Sequence, residues 1–234
     1  MLQKQKISTI TTVYNCENYI KEAIISIVQQ NYQPMEIIIV DDGSTDNTKQ
    51  EIKKLNLDNI NYIYQRHQGI AIAMNHGIKN ATGEYFAFLD ADDMWSASKT
   101  TLQLKYLTEN DSVDAVFGYV QNFYSPEIMS EIASKIHCPP DPMPGFSSQS
   151  MLIKRSAFHK VGYFTETWQR GAFIDWYLRA QDLKLNIQLL PDVVVKRRLH
   201  KTNIGITAKN HQNDFVKILK VALDRRRKLT HETI

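Results

Sequence analysis

Apolar residues recur along this chain in two alternating spacings. Ile7 to Val13 is a β-branched run that reads as a buried strand ending at Tyr14-Asn15. From Glu17 to Gln30, the apolar residues Ile20, Ala23, Ile24, Ile27 and Val28 fall at helical spacing and give one apolar face. Pro34 stops that helix, and Glu36 to Val40 is a short apolar run typical of a strand covered on both faces. After the turn residues Asp41-Asp42-Gly43-Ser44 comes a more polar helix, Thr45 to Leu55, then a third strand, Ile60 to Tyr64. Gly69 to Asn80 places Ile70, Ala73, Met74 and Ile78 on a helix face, and Gly83 turns the chain into a fourth strand, Tyr85 to Leu89. This alternation predicts a parallel sheet with crossover helices.

Ligands of such sheets bind beyond the carboxyl ends of the strands. The rule gathers Tyr14-Asn15, Asp41-Asp42 and Asp90 to Asp93 at one edge. The second half is less regular. It predicts a helix at Ser98 to Asn110, a strand at Val113 to Val120, and a fixed, extended loop at Cys138 to Gly145, where four prolines stand in "CPPDPMPG". A strand at Gln149 to Ile153, a helix at Gly171 to Leu183 and a strand at Ile187 to Val195 follow. From Asn213, Phe215, Ile218, Leu219, Ala222 and Leu223 again have helical spacing, and Arg225-Arg226-Arg227-Lys228 ends the pattern. There is no internal repeat. One domain of residues 1–234 is expected, with a regular strand-and-helix region over residues 1–95, a less regular region over residues 96–205 and a helical tail over residues 206–234.

Composition narrows the class. Apolar residues make up 43% and charged residues 23% of 234, as in an ordinary globular domain. A net charge of +3 does not argue for nucleic acid, and the two cysteines, Cys16 and Cys138, are too few for a disulfide framework or a metal knuckle. A reduced, cytoplasmic setting is the expectation, since neither a secretory leader nor an apolar run of about 18 residues is evident. The basic run Arg225 to Lys228 reads first as a solvated helix end, and second as a contact for an acidic partner or phospholipid headgroups at the inner membrane face.

The stretch "GEYFAFLDADDMWS" poses the sharpest chemical question. Asp90, Asp92 and Asp93 are packed between apolar flanks, where they repel one another and resist desolvation. Something nearby must carry positive charge, and a bound cation is the leading candidate.

Three segments, "STITTVYNCENYIKEAIISIVQQNYQPMEIIIVDDGSTDNT", "GIAIAMNHGIKNATGEYFAFLDADD" and "LIKRSAFHKVGYFTE", together resemble the family 2 glycosyltransferases over about residues 7–205. The resemblance implies an α/β fold of the GT-A type: a Rossmann-like, mostly parallel central sheet flanked by helices, with a nucleotide-binding part over residues 1–95, a smaller acceptor-side part over residues 96–205 and a C-terminal helix in residues 206–234. It implies transfer of a sugar from a nucleotide-sugar donor, commonly a UDP-sugar, with inversion. It assigns Thr12 and Tyr14 to the base and Asp42 to the uracil. Asp90 and Asp92 become a DXD-type motif facing the ribose and the metal, and His200, followed by Asn203, completes the metal site. Mn²⁺ or Mg²⁺ is the implied ion, and its charge neutralises the leaving nucleoside diphosphate. Other readings stand beside these. Asp42 also suits a turn cap, Asp93 a structural cap, and Arg197 and Arg198 either the diphosphate or the surface.

The family pattern also expects a catalytic base at the start of a helix, roughly Gly-Glu-Asp followed by a second Asp and ending Leu-Arg. The matching segment is "QRGAFIDWYLRA", so Ala172 and Phe173 stand where acids are expected. Three explanations compete: loss of the base at Ala172, natural or introduced; transfer of its role to Asp175, which suits a structural role at least as well because the family pattern has an acid there beside the base; or an acceptor that needs no strong base. Loss at Ala172 is preferred, and a non-catalytic nucleotide-sugar sensor or scaffold remains the alternative function. The acceptor, whether saccharide, lipid, metabolite or peptide, is unspecified. The loop Cys138 to Gly145 and the segment Thr165 to Arg170 are expected to border its cleft, while Trp95, Trp168 and Trp176 read as structural.

Overall fold

A computed structural model describes residues 5–128, 138–168, 170–201, 203 and 212–231. Its first half is a run of strands and helices: β1 (Ile7–Val13), α1 (Ile20–Val28), β2 (Met35–Asp41), α2 (Thr48–Lys54), β3 (Ile60–Tyr64), α3 (Ile70–Asn80) and β4 (Tyr85–Asp90). Next come β5 (Met94–Trp95), α4 (Lys99–Glu109), β6 (Ala115–Tyr124), β7 (Met143–Pro144), β8 (Leu152–Lys154), α5 (Arg155–Val161), α6 (Ala172–Asp182), β9 (Ile187–Leu199) and α7 (Gln212–His231). One sheet runs through both halves in the order β3-β2-β1-β4-β8-β6-β9-β5, with β7 paired to β6. β1 pairs in parallel with β2 and β4, and β2 with β3, as the alternation predicts.

The apolar faces lie on both sides of this sheet. In β2, Ile37 and Ile39 pack with Ile20, Ala23, Ile24 and Ile27 of α1 on one side. Ile38 and Val40 pack with Ala73, Met74 and Ile78 of α3 on the other. Strands covered on both faces have no polar alternation to show, which is why they read as continuous apolar runs. Gly77 lets α3 lie close to the sheet: a β-carbon there would stand 2.5 Å from Ile10 Cγ2.

Several elements differ from the sequence reading, each for a local reason. The helix expected from Glu17 begins at Ile20, because the carbonyl of Cys16 first accepts the amides of Tyr19 and Ile20 in a turn. The helix expected from Thr45 begins at Thr48, whose amide is taken by the Asp46 carboxylate. The strand expected at Gln149 to Ile153 splits into a 3-10 turn, Ser148–Ser150, and β8, since the Ser150 hydroxyl donates back to the carbonyl of Ser147. β9 continues past Val195 to Leu199, and its register against β6 shifts between Phe117 and Tyr119, where Pro191 is accommodated without a ladder hydrogen bond. Within the proline-rich loop, Met143 and Pro144 pair with β6. The short helix α5 and the two-residue β5 have no counterpart in the sequence reading.

Among the described residues, one buried cation has no carboxylate to balance it. Lys99 is fully buried at the start of α4, where its Nζ donates to Gln103 Oε1 at 2.6 Å and to the carbonyl of Met151 at 3.2 Å, over the Trp95 ring. Burial lowers its pKa from 10.5 to about 7. Above that pH the folded chain holds the lysine neutral while the unfolded chain keeps it protonated, so unfolding takes up a proton and stability rises with pH. Relative to Lys99→Met, the wild type should gain about 1 kcal/mol per pH unit between about pH 7.5 and 9.5. Denaturant midpoints of both proteins across that range check this, and parallel pH profiles would refute it.

Candidate active site

The register of the parallel strands builds the site. Val13 stands opposite Asp41, and Thr12 opposite both Val40 and Asp90. The three strands therefore end in line, and the residues that follow them share one edge. A cleft of about 580 Å³ opens there, lined among others by Thr12, Tyr14, Asp42, Asp90, Asp92 and His200. Every residue that the resemblance assigns to the base and the metal faces this one space.

The adjacent aspartates after β2 divide their work. Asp41 is tied into the scaffold: its Oδ1 accepts the Ser44 amide at 2.8 Å and its Oδ2 the Tyr62 hydroxyl at 2.6 Å. Asp42 turns into the cleft, and its carboxylate accepts Gln65 Nε2 at 2.7 Å and the amides of Gln68 and Gly69 at 2.9 and 2.8 Å. It is more than a turn cap, because these donors come from the segment after β3.

The acids after β4 also separate. Asp93 is buried and accepts Gln149 Nε2 and the Arg198 amide, each at 2.7 Å, so it joins β4 to β9. Asp92 faces the cleft, with His200 Nε2 at 2.9 Å and Asn203 Nδ2 at 3.3 Å from its Oδ2. One oxygen of each of Asp90, Asp92 and Asp93 lies within 4.8 Å of the others. Burial, with the charge of Asp92, pushes the Asp90 carboxyl up to about 7, and Asp93 is raised for the same reasons. A hard divalent cation suits this set, since carboxylate oxygens held close together at a desolvation cost are what it compensates. Asp92 faces the cleft and could hold it, with the His200 ring beside its carboxylate.

The positive charge that the acid-rich stretch demands is partly built in. Arg198, expected near the diphosphate or on the surface, is buried beneath the acids. Its Nε donates to the carbonyl of Asp92 at 3.0 Å, its Nη2 to Glu22, and its guanidinium lies over the rings of Tyr19 and Phe123. Arg197 instead lines the cleft, and its charge offsets part of the rise in the Asp90 and Asp93 pKa values. Of the two, only Arg197 is in place to meet a phosphate.

Sequence reasoning missed Tyr19 and His67, both in the cleft wall. Tyr19 packs against His200 with the rings tilted by 38°, donates its hydroxyl to Glu127, and has its pKa raised to about 12 by burial and that carboxylate. Its position, one residue before α1 in the Cys16 turn, was the available signal.

The acceptor side is different. Asp175 does not line this cleft; it is buried, accepting the Thr165 hydroxyl at 2.7 Å and Arg179 Nε at 3.1 Å. Arg179 in turn donates to the carbonyls of Val161 and Tyr163, so the pair ties α6 to the end of α5. This geometry argues for a positioning role. Asp175→Ala should lower stability by about 3 kcal/mol, or the melting temperature by about 10 °C, because it strands a largely buried guanidinium. A thermal melt decides: an unchanged melting temperature with lost transfer would make Asp175 the base after all.

Ala172 is buried at the start of α6, and Phe173 packs with the rings of Phe117, Trp176 and Tyr177. Trp95 and Trp176 are buried, donating to the carbonyls of Gln149 and Gly162, while Trp168 is half-buried; Gln169 of the bordering segment lies outside the described residues. In the tail, residues 206–211 also lie outside them. Arg225 and Arg226 both pair with Asp182 at 2.6 Å, so half of the basic run serves α6 rather than a partner. Among the described residues, no helix is long and apolar enough to cross a membrane.

Comparison with known proteins bears on this site. A family model described as glycosyl transferase family 2 matches residues 8–164, which holds β1 to β4 and their acids but stops before α6 and His200. A Rickettsia conorii protein described as an uncharacterized glycosyltransferase is 31% identical over 227 residues, 89% of this chain; the chain spans only 36% of that relative's length. Among solved structures, Staphylococcus aureus TarS 1–349 in complex with UDP-GlcNAc superposes with a TM-score of 0.74 at 20% identity, covering 93% of this chain and 65% of that one. The mannosyltransferase PcManGT of Pyrobaculum calidifontis, in complex with GDP-Man and Mn²⁺, superposes with a TM-score of 0.65 at 20% identity, over 86% of this chain and 59% of that one.

Proposed function

The chain belongs to glycosyl transferase family 2, and from that premise we propose that it transfers a sugar from a UDP-sugar to an acceptor hydroxyl, with inversion and with help from a divalent cation. The observation that carries this reading is the alignment of β1, β2 and β4, which brings Thr12, Tyr14, Asp42, Asp90 and Asp92 to one cleft. TarS and PcManGT, similar in fold, are in complex with UDP-GlcNAc and with GDP-Man and Mn²⁺ respectively. In this reading Tyr14 and Asp42 hold the base and Asp90 faces the ribose. Asp92 and His200 would hold Mn²⁺ or Mg²⁺, which would supply counter-charge for the departing diphosphate.

The reaction is a direct displacement. The acceptor oxygen forms the new bond to the anomeric carbon as the bond to the β-phosphate oxygen breaks, and the acceptor proton must pass to a base. Ala172 and Phe173 occupy the place where the family pattern has acids, so in this reading solvent water is the base that takes the acceptor proton, and the displacement proceeds without carboxylate assistance. The same observation favours a second reading, a nucleotide-sugar-binding sensor or scaffold. Peripheral contact of α7 with an acidic partner or phospholipid headgroups on the cytoplasmic side completes the proposal; it is supported by Lys228 and by exposed Val216, Leu219 and Leu223.

Nucleoside diphosphate release from a panel of UDP- and GDP-sugars, with Mn²⁺ and with chelator, tests the proposal. Metal-dependent release from one UDP-sugar supports transfer, binding without release supports the sensor, and preference for a GDP-sugar replaces the assigned donor.

A further inference from the structure

His67, a residue to which the family resemblance gives no role, makes within the cleft the two kinds of contact that a bound nucleobase would make. It lies on the segment that wraps Asp42. Three of the donors to that carboxylate are built in: Gln65 Nε2 and the Gln68 amide on Oδ1, and the Gly69 amide on Oδ2. The fourth is exchangeable. His67 Nδ1 lies 2.9 Å from Asp42 Oδ2 and 3.0 Å from the Asp42 carbonyl oxygen, on a side chain that is 55% exposed. The same imidazole stacks on Tyr14, with ring centroids 4.2 Å apart and planes 24° from parallel. That separation leaves no space for a base between the two rings. The Asp-Gly turn keeps the segment close: Gly43 has φ +82°, and a β-carbon on it would stand 2.7 Å from the His67 amide nitrogen.

We propose that His67 is a resident stand-in for the base, which an incoming nucleotide must displace. This rests on the reading of Tyr14 and Asp42 as the base subsite. As the imidazole swings into solvent, the base takes over the Tyr14 face and a ring N–H of the base replaces Nδ1 at Asp42 Oδ2. Uracil N3 and guanine N1 carry such a proton; cytosine N3 and adenine N1 do not, so those bases cannot restore the lost hydrogen bond. The open slot is then only a fraction of the free protein, and apparent nucleotide affinity is reduced by that fraction.

Calorimetric titration of the full chain and of His67→Ala, with UDP and separately with inorganic pyrophosphate, both in Mn²⁺, tests this. His67→Ala should bind UDP about three- to tenfold more tightly and pyrophosphate unchanged, because pyrophosphate never enters the base slot. His67→Phe, which keeps the stack and loses the Nδ1 donor, should fall between. Weaker UDP binding to His67→Ala overturns the proposal and makes the imidazole a wall of the site. Equal UDP affinity overturns it too and makes the ring a bystander. A different failure, UDP binding to neither protein while pyrophosphate binds both, would instead overturn the base subsite on which the proposal rests.

Discussion

An acid restored at the start of α6 should raise sugar transfer about 10²- to 10⁴-fold, the range typical of general base assistance. Ala172→Glu is the primary variant and Phe173→Asp the second. A carboxylate in the first turn of α6 meets the positive end of the helix, which favours its charged form. Each substitution has its own structural cost. Ala172 lies in the apolar layer with Trp176 and Phe158, and a glutamate must carry its charge past that contact. Phe173 gives up ring packing against Phe117, Trp176 and Tyr177. Because the two costs differ, a gain in either folded variant supports the missing base. UDP affinity should stay at the wild-type value, since neither residue lines the nucleotide cleft. Both variants folded and both at the wild-type rate would show that no base is missing at this position.

Removal of the Asp92 carboxylate should have the second largest effect, lowering transfer by about 10²- to 10³-fold. Asp92 is the acid of the cluster best placed for a metal: Asp93 is committed to Gln149 and the Arg198 amide, and Asp90 is raised to about 7 by burial and by Asp92 itself. Asp92→Ala should therefore abolish the advantage that Mn²⁺ gives to UDP binding. It should also lower the Asp90 pKa by removing a neighbouring negative charge. Melting curves guard against a trivial loss of folding, and a variant that kept Mn²⁺-dependent UDP affinity would move the metal away from Asp92.

The cleft edge was legible because its signals are local. Ile7–Val13 is a β-branched run and Met35–Asp41 and Tyr85–Asp90 are mainly apolar ones, each followed by polar turn residues, and the rule for parallel sheets carries their ends to one edge. The remainder depends on contacts between distant residues. Arg198 and Asp93 are 105 residues apart, and nothing in "KRRLH" distinguishes the arginine that will be buried from the one that will line the cleft. Likewise, "YQRHQG" gives no sign that His67 will reach back to Tyr14 and Asp42. Asp175 was open to two readings from its spacing, a base one turn from Ala172 or a structural acid. Thr165 and Arg179, from a loop and from the next turn of the same helix, take up its carboxylate and favour the second.

Calorimetric titration of the wild-type chain with UDP, with Mn²⁺ and after chelation, tests the central claim most directly. The expected result is one site per chain, bound at least about tenfold more tightly with the metal. No UDP binding in the presence of Mn²⁺ would contradict it.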